Sequence, residues 1–398
     1  MKIAYITSQF PVPSETFAAG DVLELQRFGH EVHVFGYRFN HPAMSAMVAE
    51  RSLQSISMEN SSPVRFAGGL MLMLAQPRLA YQLVSWLVLM EIRQPETLFR
   101  SLLLSPAFFW ILHRLRRIKP DIVHLFWGHY PSILGFLVQH AMPQVKLSLF
   151  LGAHDLTARM RISAFMGQRA DFVFTHARAN LPLLEELGIP GSRVTVVHRG
   201  IDAGALDRII SSVPRQKEHG LVLSAGRLQA FKGFDDTLRI FAALQEKHGD
   251  LRLGILGDGP EKDALMQLAE DLGIRASVRF YGHLPHQEVI RLMAASPLFL
   301  FMSRHDGERL PNSVKEAMFC RCICISTDTV GIEELIDNGK TGFIVPKADI
   351  GAAESLAEKV LCDVFASIPE AARQKIYNDF SRIKAMQQYV DAWMGKDL

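Results

Sequence analysis

Two glutamates, Glu308 and Glu316, lie eight positions apart in the stretch RHDGERLPNSVKEAM. The first falls in a polar segment that follows an apolar run. The second falls on a predicted helix that begins near Pro311, where Asn312 or Ser313 is expected to cap the helix and leave backbone amides exposed just beyond. Carboxylates are good bidentate acceptors for neighbouring hydroxyls. The spacing therefore fits a ligand with a diol at each end and a phosphate between them, which describes a nucleotide sugar.

A plainer interpretation of the same stretch is a capped helix with a carboxylate near its N-terminus. The helix dipole favours a negative charge in that position, which accounts for Glu316. It does not account for Glu308, which precedes the predicted helix in a loop. The interval between the two glutamates thus favours a ligand site.

A basic pair, Arg227 and Lys232, follows the predicted strand 220–226 in the sequence GRLQAFKG. A helix N-terminus already favours an anion, and two cations beside it are suited to holding a diphosphate. A solvated basic turn is the alternative when this motif is taken alone. Two further turns, GDGPEKD at 257–263 and GHLP at 282–285, follow later strands. Such turns are common, and each is a weak signal by itself.

Short runs of β-branched and aromatic residues alternate with helical segments throughout the chain, which indicates parallel sheets covered on both faces. The predicted strands of the first half are 2–7, 31–37, 121–127, 145–151, 171–176 and 193–198. Those of the second half are 220–226, 251–257, 278–282, 298–303, 322–327 and 342–346. The main predicted helices are 16–29, 233–247, 260–272, 286–295, 312–320, 331–337, 350–365 and 368–396.

A chain of 398 residues is too long for one ordinary core. We expect an N-terminal domain of residues 1–200, a second domain of residues 201–375 and a C-terminal helix, 376–398, that crosses back to the first. Two facing doubly wound domains create a cleft at the carboxyl ends of their sheets, where ligands bind in such folds. Neither first strand is followed by GxGxxG, so a pair of dinucleotide-binding domains is disfavoured.

The sequence resembles the retaining glycosyltransferases of the GT4 class, whose GT-B fold pairs two facing Rossmann-like domains with a C-terminal helix that crosses back. The resemblance rests on AGRLQAFKG, LGDGP, VRFYGHLP, ERLPNSVKEAM, GIEELIDNGKTGFIVP and, at the hinge, VVHRGID. TSQFPVPSETF and LGAHDLTARM in the first half are similar to members that build bacterial exopolysaccharides of the colanic acid type.

The resemblance implies roles for individual positions. Arg227 and Lys232 would hold the donor diphosphate and stabilise the leaving group, Glu308 would bind the donor sugar and Glu316 the ribose. His154, at the end of a strand in the opposing domain, would face the transferred sugar. The other expected donor contacts are Gly226, Gly257, Gly282, His283, Leu310, Asn312 and Ser313. The expected loop for donor phosphates and acceptor contains Ser14, Glu15 and Thr16.

Three positions depart from the family pattern: Arg309 where glycine is common, and Arg321 and Ile323 where glycine and then proline are common. Arg309 either adds a contact to donor or acceptor or narrows the sugar pocket, and Arg321 is expected to end its helix less comfortably than glycine. Together they leave the identity of the donor open.

The activity that the resemblance implies is transfer of a hexose from a nucleotide-diphosphate sugar, with retained configuration, to a hydroxyl of a lipid-linked or oligosaccharide acceptor in surface polysaccharide synthesis. No D-x-D motif is present, so we expect neither a metal nor another cofactor, with the basic pair neutralising the leaving group. Two alternatives are a sugar-nucleotide 2-epimerase and a sugar-nucleotide-binding protein that has lost catalysis. No motif supports binding of nucleic acid.

Charge is distributed unevenly, because residues 1–200 carry 19 Lys and Arg against 13 Asp and Glu. An insertion between the second and third predicted strands, residues 40–120, is rich in apolar and aromatic residues. It ends on a basic group comprising His113, Arg114, Arg116, Arg117 and Lys119. Core helices with a solvated end are one interpretation. The other is an amphipathic surface that rests on an anionic membrane and brings the enzyme to its acceptor.

The N-terminus reads as a first strand and not as a signal peptide, and no apolar run is long enough to span a membrane. A cytoplasmic protein, with peripheral contact to the inner face of the membrane, is therefore expected. Three of the four cysteines, Cys320, Cys322 and Cys324, alternate with other residues and are expected to face one side of a strand as buried, reduced thiols.

Overall fold

The computed structural model describes residues 1–12, 16–214 and 216–396. The chain divides into two compact units, residues 1–198 with 385–398, and residues 199–384. Each unit contains one sheet in which every pairing between named strands is parallel. The two parallel-sheet, Rossmann-like units agree with the predicted fold class.

The first unit contains seven strands in the order β3-β2-β1-β4-β5-β6-β7. They are β1 (Lys2–Thr7), β2 (Glu31–Phe39), β3 (Ser57–Ser61), β4 (Ile122–Leu125), β5 (Lys146–Phe150), β6 (Phe172–Thr175) and β7 (Val194–Val196). The helices are α1 (Thr16–Arg27), α2 (Met44–Glu50), α3 (Pro63–Leu74), α4 (Pro77–Glu91), α5 (Pro95–Ile118), α6 (Pro131–Ala141), α7 (Ala153–Thr157), α8 (Arg161–Gly167) and α9 (Leu181–Glu186).

The second unit contains six strands in the order β10-β9-β8-β11-β12-β13. They are β8 (Leu221–Ala225), β9 (Arg252–Leu256), β10 (Val278–Gly282), β11 (Leu298–Phe301), β12 (Ile323–Thr327) and β13 (Phe343–Val345). Its helices are α10 (Ala203–Ile210), α11 (Phe234–Lys247), α12 (Lys262–Asp271), α13 (His286–Ala295), α14 (Asn312–Phe319), α15 (Ile350–Leu361) and α16 (Ile368–Asp379), and α17 (Arg382–Trp393) follows.

The centre of each sheet is a run of buried apolar side chains, because strands that are covered on both faces expose no side chain to water. β11 reads LFLF and is buried at every position. β4, IVHL, is buried likewise and includes His124, whose Nδ1 lies 2.9 Å from Ser148 Oγ on β5. A polar residue in such a strand therefore finds its partner on the neighbouring strand.

The last helix contributes to the core of the first unit. Tyr389 and Trp393 on α17 are buried, and both rings lie 5.5 Å from the His124 ring. Trp393 Nε1 donates a hydrogen bond of 2.9 Å to Ser148 Oγ. The division between the units falls at residue 385, inside the segment 376–398 that the sequence analysis treated as one piece. Helix α16 ends before that point, so the predicted single helix 368–396 is two helices.

Some predicted elements differ from the structure. The segment predicted as a helix at 331–337 contains only a short 3₁₀ turn, Ile332–Glu334. The cysteines do not share one strand: Cys320 follows α14, Cys322 precedes β12, and Cys324 lies within β12. All three are buried and free, and burial raises the pKa of each thiol.

Candidate functional site

Three glycine-containing turns meet at the carboxyl edge of the second sheet. Gly226 N donates to Leu256 O at 2.9 Å, and Gly257 N donates to Gly282 O at 2.9 Å. A Cβ at position 257, where φ is +133°, would overlap Gly226 O. Glycine is required there because the backbones of adjacent turns touch. The predicted donor residues Gly226, Gly257 and Gly282 are therefore neighbours, and His283 follows them with an exposed side chain.

The loop between β8 and α11 packs closely against the residues that follow β11 and is hydrogen-bonded to them. It contains a 3₁₀ turn, Ala230–Lys232, and then Gly233 in the left-handed region at φ +68°. A Cβ on Gly233 would overlap Met302 O, and Arg304 N donates to Phe231 O at 2.8 Å. Lys232 is therefore held beside the loop that follows β11, which carries Glu308.

Lys232 and Glu308 form an ion pair through Lys232 Nζ and Glu308 Oε2. Their side chains are 19% and 18% exposed, so the pair is largely shielded but still open on one side. Ser303 Oγ donates a longer hydrogen bond to the same carboxylate oxygen, at 3.4 Å. Two residues separated by 76 positions, and assigned to the leaving group and the sugar by the sequence analysis, are thus in direct contact.

The other member of the basic pair, Arg227, lies between Gly226 and Leu228 on the same edge, with an exposed side chain. Leu228 N donates to Asp258 O at 3.0 Å, which fixes the backbone on its far side. The turn that carries Arg227 is therefore held by backbone bonds on both sides, while its guanidinium faces solvent.

Helix α14 begins differently from the prediction. Pro311 occupies the N-cap position with an extended backbone, and no side chain caps the helix. Asn312 is the first helical residue, so the expected cap by Asn312 or Ser313 is wrong. Asn312 Oδ1 instead accepts from Lys315 Nζ at 3.3 Å. Before the helix, buried Leu310 adopts φ +48°, a conformation that costs a non-glycine residue about 1–2 kcal/mol.

Glu316 lies on α14 with its side chain 18% exposed, and its Oε1 is 2.9 Å from His286 Nε2 at the start of α13. The hydrogen bond to Glu316 raises the pKa of His286, although partial burial acts in the opposite direction. The two glutamates of the Glu-x7-Glu motif therefore have different partners. Glu308 contacts a lysine, and Glu316 contacts a histidine.

Lys315 is almost completely buried beside Glu316. Its Nζ donates to Arg199 O at 2.8 Å and lies 5.4 Å from the centre of the Phe380 ring. Burial, with a smaller contribution from Arg199, lowers the pKa of Lys315 to about 7. A neutral amine has two N–H groups, which match the two acceptors, Arg199 O and Asn312 Oδ1.

Two of the residues that depart from the family pattern, Arg309 and Arg321, make hydrogen bonds within the second unit. Arg309 donates through Nη1 to Asp306 O, and burial lowers the pKa of its guanidinium. Arg321 occupies the left-handed region at φ +64° just after α14, which agrees with the expected discomfort of a non-glycine residue there. Its Nε donates to Glu370 Oε2 at 2.7 Å.

His154, the predicted contact in the first unit, is exposed on the short helix α7 after β5. Its neighbour Asp155 is buried and was not predicted as a site residue. Asp155 Oδ1 lies 3.0 Å from His129 Nδ1, and Asp155 Oδ2 accepts from Gly152 N at 3.0 Å. The rings of His129 and His154 are 6.3 Å apart. Two histidines and an aspartate are thus neighbours at the carboxyl edge of the first sheet.

The loop predicted to contact donor phosphates and acceptor lies only partly within the described residues. Ser14 and Glu15 are outside them. Thr16 is the first residue of α1. Within residues 1–12, 16–214 and 216–396, no three His, Cys, Asp or Glu side chains form a group that could hold a metal ion.

Two family descriptions match the chain in succession. The description "Glycosyltransferase Family 4" matches residues 15–204, and "Glycosyl transferases group 1" matches residues 207–378. The chain belongs to this family of glycosyltransferases, of the GT4 type with the GT-B fold.

Two curated relatives match almost the whole chain. WcaL of Salmonella typhimurium strain LT2, a glycosyltransferase whose name assigns it to colanic acid biosynthesis, is 24% identical over 96% of this chain and 97% of its own length. The amylovoran biosynthesis glycosyltransferase AmsK of Erwinia amylovora is 24% identical over 98% of both chains.

Solved structures show the same fold. Anabaena Alr3699/HepE in complex with UDP superposes with a TM-score of 0.74 at 16% identity, covering 99% of this chain and 100% of that chain. The lipopolysaccharide outer core galactosyltransferase WaaB, without ligand, superposes with a TM-score of 0.70 at 18% identity and covers 99% of both chains.

Proposed function

We propose that this glycosyltransferase transfers a hexose from a nucleotide-diphosphate sugar, with retention of configuration, to a hydroxyl of a lipid-linked saccharide in bacterial exopolysaccharide synthesis. The observation that carries the proposal is the contact between Lys232 and Glu308 at the carboxyl edge of the second sheet. The similarity to AmsK and WcaL supports the polysaccharide context. The UDP named in the HepE complex supports a nucleotide donor.

The paired charges suit a donor in which a sugar is joined to a diphosphate. Without ligand, Lys232 neutralises Glu308, so both side chains are held in place at little electrostatic cost. A bound donor offers a diphosphate to the lysine and hydroxyls to the carboxylate, and each group gains a partner. Arg227 precedes Lys232 in the same loop, at the same edge of the sheet, and is exposed. It adds a second cation for the diphosphate.

Bond cleavage leaves an electron pair and additional negative charge on the departing phosphate oxygen. Lys232 and Arg227 stabilise that charge, which is the electrostatic contribution that such sites make to the rate. The acceptor oxygen forms the new bond to the anomeric carbon on the same face, and its proton passes to the departing phosphate. His154 and Glu316 keep the roles that the resemblance implies, facing the transferred sugar and binding the ribose.

No metal is needed in this proposal, because cationic side chains and backbone amides supply the positive charge. Transfer is therefore expected to be unchanged by chelation with EDTA. A rate that falls on chelation and returns with added Mg²⁺ or Mn²⁺ would contradict the metal-independent part of the proposal.

The first experiment is a screen of UDP-, GDP- and ADP-sugars for thermal stabilisation. The cognate donor at 100 times its Kd stabilises a folded protein by about 2.7 kcal/mol. Lys232→Met should abolish this stabilisation, and Lys340→Met, which changes an exposed lysine, serves as the matched control. Proton NMR of the product then reports the anomeric configuration. An inverted product would refute retention. Binding of the donor without formation of any product from the acceptor would favour a protein that only binds sugar nucleotides.

The membrane part of the proposal rests on three helices of the insertion, α3, α4 and α5, which contact one another. They expose large apolar side chains, each more than half accessible: Val64, Met71, Leu74, Tyr81, Leu89, Ile92, Phe99 and Leu103. Tyr81 and Leu89 of α4 and Ile92, its C-cap residue, are spaced so that they lie on one side of the helix. Exposure of such an apolar surface to water is unfavourable, and we propose that a lipid bilayer covers it.

The basic group at the end of α5 contributes less than its sequence suggests. Arg114 is bound to Glu59, with 2.6 Å between Nη2 and Oε1, so its charge is already paired. Arg116, Arg117 and Lys119 are exposed and are the residues available to anionic lipid. Within the described residues, no helix has the length and apolar character needed to cross a membrane, so the contact that we propose is peripheral.

Flotation with liposomes tests the surface directly. Wild-type protein should float with phosphatidylglycerol vesicles, and Leu89→Ser with Ile92→Ser should remain at the bottom. Ile383→Ser changes another apolar residue that is more than half exposed, in the second unit, and should float normally. Equal flotation of all three proteins would refute the proposed membrane surface.

A further inference from the structure

The first unit contains a buried carboxylate that fixes the orientation of a histidine. Asp155 is 1% exposed, and its Oδ1 accepts from the backbone N–H of Gly128 at 3.0 Å and of His129 at 3.1 Å. The same oxygen lies 3.0 Å from His129 Nδ1. Because Oδ1 already accepts from two backbone N–H groups, it also acts as the acceptor toward His129, and Nδ1 carries the proton of this contact. In the neutral ring, Nε2 then has a lone pair and acts as a hydrogen-bond acceptor.

His129 Nε2 faces a hydroxyl of the protein. Tyr37, almost completely buried on β2, places its hydroxyl oxygen 3.4 Å from Nε2, which is long for a hydrogen bond to a hydroxyl. A ligand hydroxyl beside Nε2 can donate to that nitrogen and place its own oxygen next to the Tyr37 hydroxyl.

The surroundings of this pair suit a sugar. The Tyr130 ring lies 5.6 Å from the His129 ring and 6.2 Å from the Tyr37 ring, and the Trp127 ring lies 6.2 Å from the His129 ring. Aromatic side chains around a few convergent polar groups are typical of small-molecule sites. The His129 side chain is 18% exposed, so part of its ring is reachable from solvent, whereas the Asp155 side chain is fully buried.

We propose that His129, oriented by Asp155 and assisted by Tyr37, binds a hydroxyl group of the saccharide acceptor. The proposal rests on the proposed function for the identity of its ligand. His129 is the residue that touches the acceptor, and Asp155 is a positioning residue that acts through it. The arrangement binds and orients the hydroxyl, while the departing phosphate remains the proton acceptor.

Two substitutions of the histidine separate binding from folding. In His129→Asn the amide nitrogen takes the place of Nδ1 and can still donate to Asp155, but nothing remains at the position of Nε2. In His129→Gln the amide oxygen reaches the position of Nε2, so part of the acceptor contact should return. His140→Asn, on α6, is a control at an exposed histidine whose Nδ1 contacts Phe136 O.

Transfer is measured with UDP-glucose, UDP-galactose and GDP-mannose as donors and the octyl glycosides of glucose, galactose and mannose as acceptors. His129→Asn should raise the KM for the acceptor by about three- to tenfold, the effect of one lost hydrogen bond, with the donor KM and the melting temperature unchanged. His129→Gln should show a smaller rise, and Tyr37→Phe should also raise the acceptor KM. An unchanged acceptor KM in His129→Asn would overturn the proposal.

Direct binding separates this proposal from the proposed function. Saturation-transfer NMR with the same octyl glycosides, in the presence of UDP, does not require turnover. Binding to wild type that weakens in His129→Asn supports the hydroxyl site even when no transfer is detected, and the transferase proposal alone then fails. Equal binding to both proteins, or binding of no glycoside to wild type, overturns the hydroxyl site.

Discussion

Replacement of the buried lysine by methionine, Lys315→Met, should change how stability depends on pH. The folded structure lowers the pKa of Lys315 from 10.5 to about 7. The unfolded chain therefore binds more protons than the folded chain between these two values. Stability must rise with pH across that window, because protonation is tolerated in the unfolded state and opposed by burial in the folded state. The methionine variant does not titrate there and lacks this contribution.

The magnitude follows from the size of the shift. Each unit corresponds to about 1.4 kcal/mol, so the full difference between the protonated and neutral forms amounts to about 5 kcal/mol. Between pH 6 and pH 9 the wild-type free energy of unfolding should rise by about 2.5 kcal/mol relative to Lys315→Met, with most of the rise above pH 7. The variant also removes the hydrogen bond that Lys315 Nζ donates to Arg199 O, which costs about 1–3 kcal/mol at every pH. That cost moves the whole curve but does not change its slope.

The distribution of tryptophan makes the assay selective. All four tryptophans, Trp86, Trp110, Trp127 and Trp393, lie in the first unit. Urea unfolding followed by tryptophan fluorescence therefore reports the first unit, and far-ultraviolet circular dichroism reports both.

The pH-dependent difference between wild type and variant should appear in the dichroism transition of the second unit and be absent from the fluorescence transition. Lys340→Met, at an exposed lysine, should follow the wild-type curve. A difference between wild type and Lys315→Met that stays constant from pH 6 to pH 9 would refute the reasoning.

Three further predictions concern the second unit. His286→Gln should destabilise the second unit most at low pH. The raised pKa of His286 gives the wild type stability that is fully present below pH 6.5 and is lost as pH rises through the pKa of the folded state. In urea unfolding, the difference in free energy of unfolding between wild type and variant should therefore be larger at pH 5.5 than at pH 8. Gly257→Ala should destabilise by at least about 2 kcal/mol, whereas Gly249→Ala, where a Cβ meets nothing within 4 Å, should change stability by less than about 0.5 kcal/mol. Arg321→Gly should stabilise by about 0.5–1 kcal/mol in urea unfolding, because glycine tolerates φ +64°, and an unchanged or lower midpoint would contradict it.

The strands that the sequence predicted are short runs rich in β-branched and aromatic residues. β11 is buried at every position, so its residues show both its type and its place in the sheet. β3 reads SMENS, with two serines, an asparagine and a glutamate, a composition that does not predict a strand. Among the described residues it pairs with β2 alone, at the edge of the sheet, where a strand is held by backbone bonds to one neighbour and its side chains carry little information about its type.

The site shows a similar division between what local sequence determines and what tertiary structure determines. The spacing of Glu308 and Glu316 and the glycine turns were visible because their chemistry is local. The partners were not visible: Lys232 is 76 positions from Glu308, and His286 is 30 positions from Glu316. The buried state of Lys315 depends on a carbonyl 116 positions away, and lysine in sequence reads as a surface residue.

The cap of α14 shows a local prediction that failed for a local reason. Asn312 and Ser313 both have capping side chains, and the sequence offered either. The fixed φ of Pro311 and its extended ψ of 133° place that residue at the N-cap, which moves Asn312 into the first turn. Its side chain then accepts from Lys315 and not from the backbone. Asn312 thus accepts a hydrogen bond from the buried lysine, an interaction that helix-capping preferences do not predict.

The position of α17 bears on any attempt to produce the first unit separately. A fragment that stops at residue 198 lacks Tyr389 and Trp393, whose rings cover His124 and Phe174. Such a truncation would expose aromatic surface and remove the donor to Ser148 Oγ. A polypeptide that joins the 385–396 segment to residues 1–198 through a flexible linker would restore both, so isolation of this half requires rearranging the gene and not merely shortening it.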